Sequence, residues 1–146
     1  MNNLQIEPRI LYRQGIEKDR HSIQALMASF DMEADLDPAE FLIAQDNTTL
    51  IGAVRKERID HFDFIRPIVV AKEWQKQGVG ARLINEIRMD LLQIAVVARG
   101  QALGFYTRLG FFTSDWDWLP GDLIQECKLC PDNQACAPVV MVWKRR

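Results

Sequence analysis

Long apolar runs are missing from this chain. Nothing approaches the roughly 20 consecutive apolar residues that a membrane-spanning helix needs, so no membrane partner is expected. An excess of one charge is missing too: 18 Lys and Arg stand against 20 Asp and Glu, a formal net charge of −2. That balance provides no field to attract nucleic acid. The basic end Lys144-Arg145-Arg146 is too short to change this and reads as a solvated tail. Cysteine is scarce, and the odd number of three argues against a closed disulfide framework. Met1 to Glu7 has no basic segment followed by an apolar one, so no secretion signal is read and the cytoplasm is the expected compartment. Repeats, low-complexity stretches and linker-like shifts are also lacking. What is present, 48% apolar and 26% charged residues in 146, is ordinary for a soluble globular chain. One domain over residues 1–146, with a core of its own, is expected.

Punctuation by Gly, Pro and polar clusters divides the chain into short elements. Ile10 to Arg13 reads as an opening strand between Pro8 and Gly15. Ile23, Leu26, Met27 and Phe30 share one helical face over 17–30. The acidic stretch Asp31 to Pro38 reads as a loop. Phe41–Ala44 and Leu50–Val54 flank a polar turn and make a hairpin. A strand from about His61 to Val70 follows, interrupted by Pro67, which belongs at an edge or bulge. Gly80, Leu83, Ile84, Ile87 and Leu91 predict a helix running to Leu92. Ile94–Ala98 has the continuous apolar character of a strand buried on both faces. A helix over 101–109 stops at Gly110, and Val139–Trp143 closes as a strand. The predicted class is α/β, a mixed sheet with helices packed on it.

Between the strand ending at Val70 and the next helix lies Gln75-Lys76-Gln77-Gly78-Val79-Gly80. A strand-to-helix turn leaves the first helical N–H groups unpaired and facing out. With the positive end of the helix dipole they form an anion site, and glycine lets a pyrophosphate approach the backbone. Lys76 adds a charge there. An ordinary tight turn satisfies the same spacing. The dinucleotide fingerprint fails because Leu83 stands where a third glycine is required, and no Gly-Lys-Ser/Thr follows for a P-loop.

Gln75, Gly78 and Gly80, preceded by Val70 eight residues before the first of these glycines, resemble the cofactor motif of the GNAT superfamily of acyl-CoA-dependent N-acetyltransferases. A second motif of that superfamily is matched downstream by Ala102, Phe105, Tyr106, Gly110 and Phe111. The resemblance implies a sheet whose strands splay beside the cofactor, acetyl-CoA, and transfer of its acetyl group to a primary amine. Val70, Gln75, Lys76, Gln77, Gly78, Val79 and Gly80 would bind cofactor, with the Val70 N–H near the thioester oxygen. Arg99 stands where many members carry asparagine, and would reach a cofactor phosphate or a substrate carboxylate, or merely end in solvent. Tyr106 would protonate the leaving thiolate, a task within reach of a phenol with a reference pKa of about 10. Its bland alternative is a tyrosine anchored in the core. The base that neutralises the amine is sought among Asp63, His61 and Glu57, each of which reads equally as a solvated strand residue.

Cys127-x-x-Cys130-Pro131 and Cys136 offer three soft ligands without a matching second pair. Zinc, a redox switch and buried apolar cysteines all stay open, and no resident metal is assigned. Together with Leu119-Pro120 and Met141, this tail resembles short N-acetylglutamate-synthase-like members, which carry an arginine matched here by Arg66. Its guanidinium would hold an acceptor carboxylate, although a salt-bridged strand arginine has the same sequence signature. The acceptor implied is a small-molecule amine, a glutamate-like free amino acid by preference. A protein or peptide N-acetyltransferase and a non-catalytic acyl-CoA-binding sensor are the alternatives, and a homodimer is left open.

Overall fold

The computed structural model describes residues 10–32, 35–115 and 138–146. Seven strands form a mixed sheet in the order β1-β2-β3-β4-β5-β7-β6. They are β1 Ile10–Gln14, β2 Phe41–Asp46, β3 Thr49–Ile59, β4 Phe62–Val70, β5 Gln93–Ala98, β6 Phe112–Thr113 and β7 Val139–Lys144. The α-helices are α1 Arg20–Ala28, α2 Val79–Ile87 and α3 Leu103–Arg108. The expected alternation is present, with β6 added: two residues are too few to leave a periodic signal. Cys127, Cys130 and Cys136 lie outside the described residues. Among the described residues no helix is long and apolar enough to cross a membrane. The chain divides into two compact units, one built from the chain up to Arg55 plus Pro67–Ile87, the other from Lys56–Arg66 plus Arg88–Arg146.

In the first unit, β1, β2 and β3 pair antiparallel, with Tyr12 opposite Ala44 and Ala44 opposite Gly52. Ile23, Leu26 and Met27 of α1 pack on Phe41, Ile43, Ala53 and Val69. Successive strand residues face opposite sides, so Gly52 faces away from α1. A Cβ placed on Gly52 would stand 3.2 Å from side-chain carbons of both Leu83 and Val79. Glycine there lets α2 settle directly on β3, and the two helices cover opposite faces of the same strands.

The entry to α1 is held by charge. Asp19, on a single 3₁₀ turn before the helix, takes two hydrogen bonds of 2.9 Å from Arg13 and one of 2.8 Å from the Ile16 N–H. Arg13 is braced in turn by Gln45 at 3.0 and 2.7 Å. Hydrogen bonding to Arg13 holds the Asp19 carboxyl below its usual value against the opposing effect of burial. A carboxylate depressed in the fold contributes stability that is full above its unfolded pKa and lost as pH falls through the folded one. Asp19→Asn is therefore expected to cost about 2–4 kcal/mol at pH 7, towards the lower end because Arg13 is partly solvated. Urea titrations should show the gap to wild type closing as pH drops below about 4. A gap that does not change with pH would mean that the amide substitution disturbs packing rather than charge.

In the second unit, β5 and β7 pair antiparallel from Gln93 opposite Lys144 to Ala98 opposite Val139, and β6 adds to β7. β4 joins β5 in parallel at Phe64 opposite Ala95. Phe64, Ala95, Val140 and Val142 form the core here, with Ile59, Phe62 and Val97 against it. Two expectations need correction in this region. The helix expected to reach Leu92 ends at Ile87, and one of the three terminal basic residues, Arg145, is exposed but not simply solvated. The Arg145 guanidinium donates to the carbonyls of Leu91, Arg88 and Met89 at 3.0, 3.0 and 2.6 Å. Those donors take the carbonyls that a longer helix would have used. Arg145 and Arg88 both lie over the Trp143 ring, at 5.5 and 4.8 Å.

Candidate active site

A two-residue turn, Asp60 and His61 with φ 48 and 73, joins β3 to β4 and sets Ile59 opposite Phe62. A regular ladder would then set Ile51 opposite Val70. The bond observed is from the Ala71 N–H to the Ile51 carbonyl, at 2.8 Å. One extra residue is therefore absorbed in β4, a bulge. It lies between Phe64, which shares a core cluster with Ile59 and Phe62, and Val69, which shares one with Ala53. Pro67, with no N–H to offer a neighbouring strand, sits inside this stretch.

The shift decides where Val70 points. Backbone groups of alternate strand residues face opposite edges. Ala71 is bonded to β3, so the N–H and carbonyl of Val70 face the other edge. There the Gln75 side-chain amide donates to the Val70 carbonyl at 3.0 Å, leaving the Val70 N–H on the same edge. Gln75 thus fastens the glycine turn to the strand end. Gln77 ties the turn to the 3₁₀ segment Lys72–Trp74 before it, donating to the Glu73 carbonyl at 2.9 Å.

Beyond Gln75, Lys76 has φ 64 and Gly78 φ 89. A Cβ on Gly78 would meet nothing within 4 Å. Gly78 is needed for its left-handed backbone and leaves open space beside the helix start. Its carbonyl accepts from the Arg82 N–H at 3.0 Å, opening α2 at Val79. The chain thus has an open, glycine-bearing turn with Lys76 beside it and the first N–H groups of a nine-residue helix behind it. That is a fit for phosphate groups.

In the second unit, Tyr106 of α3 is 4% exposed. Its ring makes edge contacts with Phe105 and Phe111, at 5.0 and 5.3 Å. Burial pushes the phenol well above its ordinary value, so it stays protonated throughout the neutral range. Gly110, with φ 91, ends the helix and turns the chain so that Phe111 reaches that ring. Arg99 is exposed at the foot of the 3₁₀ turn that precedes α3.

The candidate bases separate clearly. His61 is exposed in the left-handed turn before β4 rather than on the strand itself. Asp63 is largely buried, with Arg58 at 3.5 Å and Lys56 at 4.0 Å, and its Oδ1 has no hydrogen-bond partner. Arg66 meets Glu57, Nη1 to Oε2, at 3.7 Å. The association of Arg66 with Glu57 was not legible beforehand; the β3–β4 turn, once located, puts the two on adjoining strands.

The mixed sheet with its packed helices and the open turn before α2 suit a protein that binds a phosphate-bearing ligand. A family model described as the acetyltransferase (GNAT) domain matches residues 37–112, just over half of the chain, which therefore belongs to that family. An uncharacterized N-acetyltransferase of Chlorobaculum tepidum is 26% identical over 81 residues, 53% of this chain and 52% of the relative. N-acetylglutamate synthase of Neisseria gonorrhoeae, solved with coenzyme A and N-acetyl-glutamate, superposes with a TM-score of 0.77 at 19% identity, over 96% of this chain and 36% of its own. Diaminobutyrate acetyltransferase of Paenibacillus lautus, solved with L-2,4-diaminobutyric acid and coenzyme A, gives 0.66 at 11% identity, over 94% and 96%. This chain spans about half the length of the curated relative and about a third of the synthase.

Proposed function

We propose that this chain is an N-acetyltransferase that uses acetyl-CoA to acetylate a free amino acid. The observation that carries the reading is the strand end with its turn: Val70 turned away from β3, Gln75 bonded to its carbonyl, and Lys76 and Gly78 leading into α2. In this reading the Val70 N–H stabilises the negative charge that grows on the thioester oxygen, and residues 76–80 hold the cofactor phosphates. Tyr106 gives its proton to the departing sulfur. A buried phenol is a weaker acid than a free one, but a thiolate leaving in the same apolar surroundings is a stronger base, so the transfer stays matched. The structural neighbours solved with N-acetyl-glutamate and with L-2,4-diaminobutyric acid favour a free amino acid as the acceptor class.

The experiment is an acceptor panel with acetyl-CoA and thiol detection, covering free amino acids, carboxylate-free amines and a peptide with a free N-terminus. Thiol release with amino acids is the expected result. Release with the peptide alone would overturn the acceptor class. No release with any amine, despite cofactor binding by calorimetry, would favour the non-catalytic sensor.

A further inference from the structure

We infer that the first unit carries a second small-molecule site, a cleft beside α1 that takes an uncharged, hydroxyl-bearing ring, the chemistry shared by a nucleoside and a sugar. Occupancy of the cleft is coupled to the glycine turn, and that coupling alone rests on the proposed cofactor site.

The cleft has a volume of about 570 Å³, within the range of roughly 300–1,000 Å³ usual for small-molecule sites. Its floor is apolar. Leu26 comes from α1, and Leu50 and Ala71 pack on the core beneath that helix. Its walls are polar. Ser22 of α1 and Thr48 and Thr49 of the β2–β3 turn bring three hydroxyls that have no hydrogen-bond partner among the described residues. Lys72 and Glu73, just past the end of β4, complete it.

The two charges select against ions. Lys72 and Glu73 are consecutive and exposed, and make no ion pair among the described residues. An ion of either sign therefore meets one attraction and one repulsion at similar range, and gains little from entering. A zwitterion fares no better, because ion pairs to exposed side chains are worth little. Hydroxyl groups suit every polar group present. They accept from the Lys72 ammonium, donate to the Glu73 carboxylate, and do both with serine and threonine. The carbon face of a ring covers the floor, and removing that apolar surface from water is favourable.

The cleft and the glycine turn share one short segment. Lys72 and Glu73 open the 3₁₀ turn Lys72–Trp74. The Lys72 carbonyl accepts from the Gln75 N–H at 3.3 Å, and the Glu73 carbonyl accepts from the Gln77 side chain at 2.9 Å. Both bonds run to the residues just before Gly78. A ligand that orders Lys72 and Glu73 also orders the approach to that turn. By linkage, acetyl-CoA then tightens the ligand by the same factor as the ligand tightens acetyl-CoA.

Calorimetry on the full chain tests this, with uridine, inosine and glucose titrated in the presence of acetyl-CoA. Uridine 5′-monophosphate and leucine serve as the charged and zwitterionic comparisons. We expect a neutral probe to bind with a Kd below about 1 mM and more tightly than either comparison. The nucleoside and glucose arms tell the two sources apart. Ala25→Trp sets an indole in the cleft from an exposed position of α1. It should abolish probe binding while melting and acetyl-CoA affinity stay near wild type. Ser22→Trp, on the same wall, repeats the test if the first variant does not fold. In the wild type, the bound probe should tighten acetyl-CoA about fivefold or more. The site is overturned if no neutral probe binds, if the monophosphate or leucine binds more tightly, or if binding survives a folded tryptophan variant. A probe that binds in the cleft and leaves acetyl-CoA affinity unchanged overturns the coupling. Should acetyl-CoA itself not bind, the cofactor reading fails separately, and probe binding that the tryptophan abolishes still supports the cleft.

Discussion

Replacing Tyr106 by Phe is expected to slow acetyl transfer by roughly 10²–10⁴-fold in a single turnover, the usual worth of a positioned proton donor. The substitution isolates the proton because the ring does all the visible packing. Phe105 and Phe111 touch the ring at 5.0 and 5.3 Å, and the hydroxyl has no hydrogen-bond partner among the described residues. Phenylalanine keeps both edge contacts and removes only a polar atom from an apolar place, so stability should shift by less than about 0.5 kcal/mol. Rapid quench under single-turnover conditions is the right measurement, since slow product release would hide a slowed chemical step. A Tyr106→Phe protein that transfers at the wild-type rate would return this residue to the role of a core tyrosine.

A second large effect is expected at the helix start. Gly80→Glu sets a negative charge in the first turn of α2, where the proposed phosphates lie, and should weaken acetyl-CoA binding by about 10²-fold or more. The fold should tolerate it. An acidic side chain at a helix N-terminus is favourable by about 0.3–1 kcal/mol, so melting temperature should hold or rise slightly while affinity falls. That opposition of signs makes the test specific. Cofactor affinity unchanged in a folded Gly80→Glu variant would place the phosphates elsewhere. Affinity lost together with the fold would be checked with Gly80→Ala, which adds no charge and should bind nearly as wild type.

The comparison of sequence with structure turns on the range of the physics involved. The stripe of Ile23, Leu26 and Met27, the buried run Ile94–Ala98, and the glycines 78 and 110 were all legible because each answers to a local rule. Helical spacing, strand alternation and the freedom of glycine at positive φ operate within a few residues of chain. The turn we propose for the cofactor could be located on the same ground: a strand, a glycine and a helix start are consecutive in sequence.

Where α2 stops was not legible. Leu91 continues the apolar spacing of the helix, yet Arg145, more than fifty residues away in the chain, claims the carbonyls that follow Ile87. Nor was the choice of charge partners legible, since Asp63, Glu57 and the four nearby cations Lys56, Arg58, Arg66 and Arg55 admit several pairings with similar Coulomb energies. Only the β3–β4 hairpin decides that Asp63 meets Lys56 and Arg58 and that Arg66 meets Glu57, while the pairing of β2 with β3, Phe41 opposite Arg55, turns Arg55 to Glu40. The bulge in β4 is of the same kind. Pro67 announces that some irregularity must come, but its size, one residue, and hence the direction of Val70, follow from where Ala71 finds its partner on β3. The sequence by itself determined the longer helices and strands, their order and the glycine turn between β4 and α2, because those depend on neighbours in the chain. The tertiary structure decided which charges meet and which way the Val70 backbone faces, because those depend on partners that the chain brings together only when it folds.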